Sequence, residues 1–235
     1  VLFTCFRQFG TPIFRWDSIR HTWRLGIFFA LGMSSRILLN DSDKFVLAGS
    51  HRESEGGQYG AAHRLVSMAF APLQAITYSL NTQLFRAGTK GYEAVWQILK
   101  RVLPLAAGYI LLAGVALATL APLVILVLGK DFALLSQMLP LLALLLLGET
   151  GAYYFGDALM GLGRQGLRSV SQALVGICVL LLNLAFTPIF GWVASATIAI
   201  GASLTLAAFL TVMFIVGLMR ERREASSAPQ EEPQA

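Results

Sequence analysis

The sequence predicts an all-α integral membrane protein, folded as a bundle of six transmembrane helices. Hydrophobic residues make up 56% of the 235 positions and charged residues only 13%, whereas about a quarter of an ordinary soluble domain is charged. A domain of this size leaves many residues in contact with solvent, so this much apolar surface is expected to face lipid. The same composition excludes a disordered or collagen-like chain.

Six apolar segments account for the six predicted helices. They cover residues 25–48, 59–85, 102–128, 132–161, 169–190 and 192–219. Each contains about 20 residues or more, which is the length of helix that crosses roughly 30 Å of hydrocarbon.

Two polar segments flank the apolar ones. Residues 1–24 are basic and aromatic and lack the apolar core of a signal peptide, so we expect a cytoplasmic loop that leads into the first helix. Residues 220–235 end in a stretch rich in Pro, Ser, Gln and Glu, which we predict to be a disordered cytoplasmic tail. Because the chain begins with Val1, we expect it to be part of a larger protein.

The basic residues predict the orientation. If the six segments cross the membrane alternately, most of the 18 lysines and arginines lie on one side, in residues 1–24, 86–101, 162–168 and 220–235. Basic loops remain in the cytoplasm, so both termini are predicted to be cytoplasmic. This distribution also explains the net charge of +5 without nucleic-acid binding.

Polar side chains within the first two segments are candidates for a functional site, because polar groups are costly in lipid and face a cavity or another helix. Arg36, Asn40 and Asp43 are four and three residues apart and therefore share one face of the first helix. The second helix has a polar face whose members lie within roughly 60° of one line. These members are His63, Ser67, Gln74, Thr77, Tyr78 and Asn81.

Three basic residues in these two helices have two open interpretations. Arg36, His63 and Arg64 are suited to attract an anionic group, because a cation interacts strongly in a cavity of low dielectric constant. Alternatively, Arg36 pairs with Asp43 inside the bundle, while His63 and Arg64 extend to the membrane–water interface.

The later segments carry fewer polar groups, and the third, almost entirely apolar, is expected to be scaffold. In the fourth segment, Glu149 and Asp157 lie on either side of Tyr153. We interpret these two residues as carriers of a coupling proton or ion, or one of them as a residue near the membrane edge. Gln172 and Asn183 in the fifth segment are expected to bond to a neighbouring helix.

Four motifs occur in the order found in polysaccharide and O-antigen flippases. Residues 38–49 read LLNDSDKFVLAG, and after a short outer loop residues 55–65 read EGGQYGAAHRL. Residues 128–132 read LGKDF, and residues 183–191 read NLAFTPIFG before a final helix of small residues. The chain resembles this family, which belongs to the multidrug/oligosaccharidyl-lipid/polysaccharide exporter superfamily, over about residues 25–219.

The resemblance implies the C-terminal half of a twelve-helix MATE-like transporter, with the N-terminal six-helix half missing from this chain. Such a transporter flips a lipid-linked oligosaccharide, carried on polyprenyl pyrophosphate, across the bacterial inner membrane by alternating access. The cargo cavity is then expected to contain Arg36, Asn40, Asp43, His63, Arg64, Ser67, Gln74 and Asn81. A proton or sodium gradient is expected to act through Asp43, Glu149 or Asp157. Transport breaks no bond, so we expect no catalytic residue, no cofactor and no metal.

Two alternatives to the flippase stay open. A drug or cation antiporter of the same superfamily would share the fold, but its cavity is expected to be acidic. A membrane polymerase or ligase acting on lipid-linked sugars would need a large polar outer loop, whereas the longest predicted outer loop has roughly ten residues.

Overall fold

A computed structural model describes residues 16–129 and 132–227, and this part of the chain is helical and has no β-strand. Its helices are α1 (Trp16–Gly49), α2 (Glu53–Gly88), α3 (Tyr92–Leu128), α4 (Ala133–Leu142), α5 (Leu145–Gly161), α6 (Gln165–Phe190) and α7 (Trp192–Ser227). The predicted all-α class is confirmed for these residues.

Three helices are long and apolar enough to cross a membrane. They are α3 (over Tyr92–Leu123), α6 and α7, and the bent pair of α4 and α5 makes a fourth if it counts as one span. Among the described residues, α1 and α2 overlap the first two predicted spans but do not meet this criterion, because polar side chains lower their hydropathy. The apolar helices place the protein in a membrane.

Helical structure extends beyond the predicted segments near both ends of the chain. α1 begins at Trp16, so part of the predicted N-terminal loop is helical. α7 continues to Ser227, so the first residues of the predicted disordered tail are helical too. The apolar pattern ends where charged turns begin, but the backbone ladder of a helix does not depend on that change. The rest of the basic segment, two residues of the LGKDF motif and the end of the tail lie outside the described residues.

The fourth predicted segment is bent rather than continuous. α4 and α5 meet at an angle of 41°. Pro140 lies in the last turn of α4, and proline has no N–H to donate to the helix ladder. Just after it, the Leu144 N–H bonds to the Leu141 carbonyl at 3.1 Å, with the tighter spacing of a 3₁₀ turn. An apolar run does not reveal such a break, which is why the sequence predicted one helix.

Five helices enclose the interior of the bundle. α1 packs mainly against α6, α6 against α7, and α7 against α5, while α2 packs against both α1 and α5. α3 and α4 pack against each other and against α2. Small residues allow the closest approaches, as where Gly176 of α6 meets the backbone of Ser35 in α1. The ring of α1, α2, α5, α6 and α7 is the part of the fold that surrounds the candidate site.

Charged side chains join helix ends at both ends of the bundle. At the start of α2, Glu55 accepts a hydrogen bond from the Trp192 N–H of α7 at 3.2 Å and pairs with Arg52 at 3.0 Å. At the other end, Glu221 near the end of α7 accepts a hydrogen bond from the Tyr92 N–H at the start of α3, at 2.5 Å. In both places a carboxylate satisfies an N–H that a helix start leaves without a partner. These contacts hold neighbouring helices together where the apolar packing ends.

Candidate functional site

A polar cavity of about 140 Å³ lies inside the ring of α1, α2, α5, α6 and α7. It gathers most of the polar residues that the sequence placed on separate helices. The predicted site residues that line it are Arg36, Asn40, His63, Ser67, Gln74 and Glu149. The polar faces of α1 and α2 therefore turn towards the same space, as the cost of exposing polar groups to lipid requires.

A second cavity of about 180 Å³ adjoins the first. Its lining includes Tyr78, Asn81 and Asp157. The residues that line both cavities are Arg36, Tyr153, Arg168 and Gln172. These shared residues form the boundary between the two spaces.

Arg36 contacts an aromatic ring rather than a carboxylate. Its guanidinium carbon lies 4.5 Å from the centre of the Tyr153 ring, within cation–π range. The Tyr153 hydroxyl accepts a hydrogen bond from Gln74 Nε2 at 3.0 Å, and Phe70 packs against the edge of the ring. Arg36 makes no ion pair within the described residues, so the interpretation in which it pairs with Asp43 is wrong. Its N–H groups donate no hydrogen bond to a described residue, and its side chain lines both cavities.

Asp43 and Arg64 line neither cavity. Asp43 is buried, and its carboxylate accepts hydrogen bonds from the Tyr59 hydroxyl at 2.7 Å and from the Lys44 N–H at 2.8 Å. Arg64 is exposed on α2. It follows His63 by one residue, which rotates its side chain by about 100° around the helix and away from the cavity that His63 lines. These two predicted cavity residues therefore lie elsewhere.

An ion pair between α5 and α6 lies at the boundary of the cavities. Arg168 Nη1 is 2.5 Å from Asp157 Oδ1, and the two side chains are 15% and 4% exposed. The count of basic residues predicted a cytoplasmic loop position for Arg168, but Arg168 lies in the first turn of α6 and lines both cavities. The signal that was available is its spacing from Gln172, because residues four apart share a helix face.

Glu149 lines the first cavity from α5. Glu149, Tyr153 and Asp157 are spaced four apart and occupy one face of this helix, which brings all three to the cavities. Among the described residues, Glu149 makes neither a hydrogen bond nor an ion pair, whereas Asp157 is paired with Arg168 and Asp43 is bonded to Tyr59. The three carboxylates predicted for ion coupling thus differ, and only the Glu149 carboxylate lacks such a partner.

No protein-family model, curated protein or solved structure matches the chain. The class of protein follows from the fold and the site: an α-helical membrane protein with two adjoining cavities inside its bundle, into which polar side chains project from an otherwise apolar lining.

Proposed function

We propose that the chain is the C-terminal six-helix bundle of a twelve-helix MATE-like transporter that flips a lipid-linked oligosaccharide across the bacterial inner membrane. The observation that carries the proposal is the environment of Arg36, which lies at the boundary of two cavities that both contain polar side chains, and which makes no ion pair with a described residue. A guanidinium in such a place binds phosphate strongly, through charge and through directed N–H donors. The motifs that resemble polysaccharide and O-antigen flippases support the same function.

The cavities supply contacts for a polar headgroup. Asn40, Ser67 and Gln74 offer the amide and hydroxyl groups that a sugar needs in place of water. The volumes of about 140 and 180 Å³ are smaller than the roughly 300–1,000 Å³ of a pocket for a drug-sized ligand. We therefore assign to this bundle the pyrophosphate and the adjacent sugar, and to the missing N-terminal half the rest of the oligosaccharide.

Alternating access fits this division of contacts. The headgroup would pass between the two six-helix halves while the polyprenyl tail remains in lipid, and no covalent step is required. In the proposed topology α1 and α2 cross the membrane, α4 and α5 together form one span, and both termini are cytoplasmic. A proton or sodium gradient would drive the cycle through Asp43, Glu149 or Asp157.

The test is transport by an Arg36 variant of the full-length protein. In a strain deleted for its gene, lipid-linked oligosaccharide should accumulate inside the cell and surface polysaccharide should be lost. Arg36→Ala should lower the restored transport by about tenfold or more, because hydrogen bonds to charged groups contribute about 1.5–3 kcal/mol.

Arg64→Ala is the matched control, because it removes an arginine that lies on α2 outside the cavities. This variant should restore surface polysaccharide to the wild-type amount. Wild-type transport by Arg36→Ala, at normal membrane levels of the protein, would remove the phosphate contact from the proposal.

The cation antiporter remains the second candidate because Glu149 places a carboxylate without a partner among the described residues in the first cavity. Unchanged polysaccharide in the deletion strain, together with increased sensitivity to cationic drugs, would favour that function. The polymerase or ligase would need a large polar outer loop. The connections between described helices are as short as residues 50–52 and 89–91, so they give this alternative no support.

A further inference from the structure

Two opposite charges line the same cavity without forming an ion pair with each other. Arg36 of α1 and Glu149 of α5 both line the 140 Å³ cavity, yet neither makes an ion pair within the described residues. Arg36 is positioned on the Tyr153 ring, and Gln74 holds the Tyr153 hydroxyl from α2. The guanidinium thus contacts the Tyr153 ring and not the carboxylate of Glu149.

The neighbouring charged groups do not satisfy Glu149 either. Arg168 is engaged by Asp157, and Lys44 of α1 pairs with Asp41 at 2.9 Å. A carboxylate that leaves water without a partner is costly, and so is an isolated guanidinium. A ligand that brings one cation and one anion would compensate both groups at once.

We propose that the first cavity binds a headgroup carrying both charges, with its phosphate on Arg36 and an ammonium group, as in an amino sugar with a free amine, on Glu149. The phosphate part rests on the proposed function, and the ammonium part adds the class of sugar. Glu149 is then a specificity-determining residue for the cargo. Ion coupling is then assigned to Asp43 or Asp157. The Asp43 carboxylate is bonded to Tyr59 and the Asp157 carboxylate to Arg168, and binding of a proton or sodium ion would release either carboxylate from its partner.

The experiment compares two probes that differ in one charge. Glucosamine 1-phosphate carries a free amine, and N-acetylglucosamine 1-phosphate carries the same ring and phosphate with the amine acetylated. Binding is measured by calorimetry to the intact protein in lipid nanodiscs at about pH 7.5, where most of the amine is protonated. The wild type should bind the free-amine probe about tenfold more tightly than the acetylated probe, because one hydrogen bond between charged groups changes the affinity by about that factor.

Variants assign the preference to its residue. Glu149→Gln should bind the two probes equally and keep the wild-type affinity for the acetylated one. Glu53→Gln makes the same chemical change at an exposed carboxylate and should keep the tenfold preference. Glu149→Asp keeps the charge and should retain part of the preference, which guards against an effect of altered folding.

The outcomes separate this inference from the proposed function. Equal binding of both probes by the wild type, or an unchanged preference in Glu149→Gln, overturns the role of Glu149 but leaves the phosphate contact standing if Arg36→Gln weakens both probes. Failure of Arg36→Gln to weaken either probe overturns the phosphate contact, which is the observation that carries the proposed function.

Discussion

Arg168 and Asp157 are the residues whose pairing most directly supports the boundary between the two cavities. Both side chains are largely buried, at 15% and 4% exposure. Burying two charges costs desolvation energy, so the intact pair contributes only modestly to the stability of the fold. The loss of one partner is more costly, because it leaves the other charge buried and uncompensated. Replacing one of the two residues should therefore destabilise the protein more than replacing both.

Arg168→Gln should lower the free energy of unfolding by about 3 kcal/mol, because it leaves the buried Asp157 carboxylate without its cation. The double variant Arg168→Gln/Asp157→Asn should recover a large part of that loss. Equilibrium unfolding in mixed detergent micelles measures both values. A double variant no more stable than Arg168→Gln alone would contradict the account.

An exposed pair provides the control for this prediction. Arg222 near the end of α7 lies 2.9 Å from Glu93 of α3, and both side chains are solvent-accessible. Exposed pairs are screened by water and salt. Arg222→Gln should therefore change the unfolding equilibrium far less than Arg168→Gln.

Helical spacing predicted part of the cavity lining, but it also placed Asp43 on the face of Arg36 and Asn40, and Asp43 lines neither cavity. Arg36 and Asn40, one turn apart on α1, line the cavity as their shared face requires. Arg168 was missed because counting basic residues assigns an arginine at a segment end to the cytoplasm, although α6 begins at Gln165. The contact of Arg36 with Tyr153 joins α1 to α5, and no spacing within one helix specifies a partner on another.

Among the elements, the connection between α6 and α7 depends on a single glycine. Gly191 has φ +65° and ψ −147°, a conformation that only glycine adopts readily. A Cβ at this position would lie 2.5 Å from both Arg52 Nη1 and Glu55 Oε2, the side chains that join α2 to this turn. The turn and its contact with α2 therefore both require glycine at position 191.

Gly191→Ala should accordingly destabilise the protein by about 1–3 kcal/mol, because it strains the backbone and displaces the ion pair. Thermal unfolding in detergent gives the difference. Gly201→Ala is the control, since the space around Gly201 in α7 is open and alanine is the better helix former. That variant should be at least as stable as the wild type, and an equal loss in both variants would argue against a special role for the turn.

The positions of the helices were largely predictable, and their internal geometry was not. Apolar runs determine where a chain is buried in lipid, so each predicted segment overlaps a helix in the described part of the chain. The bend between α4 and α5 follows from Pro140 and a local change of hydrogen bonding, and it leaves the hydropathy unchanged. Pro72 lies inside α2 without ending it, so proline alone does not predict a break.

At the scale of the whole molecule, the number of spans depends on the two most polar helices. α1 and α2 contribute Arg36, Asn40, His63, Ser67 and Gln74 to the first cavity. These side chains lower the mean hydropathy of the same helices that the proposed topology requires to cross the membrane. A helix that lines a polar cavity needs lipid-facing apolar residues on only part of its circumference. Phe45 of α1 and Met68 of α2, 74% and 69% exposed, provide such a surface.

The six-span topology predicts opposite sides for the two ends of α2. Ser54 is exposed at its start and Thr89 just beyond its end. Single cysteines at these positions, Ser54→Cys and Thr89→Cys, are introduced into a full-length protein otherwise free of cysteine. In intact cells a membrane-impermeant maleimide should label the first and not the second, because basic residues retain the α2–α3 connection in the cytoplasm. Permeabilised cells should give labelling of both. If the two positions are instead labelled alike in intact cells, α2 does not cross the membrane, and the cavity between α1 and α2 cannot serve a flippase path.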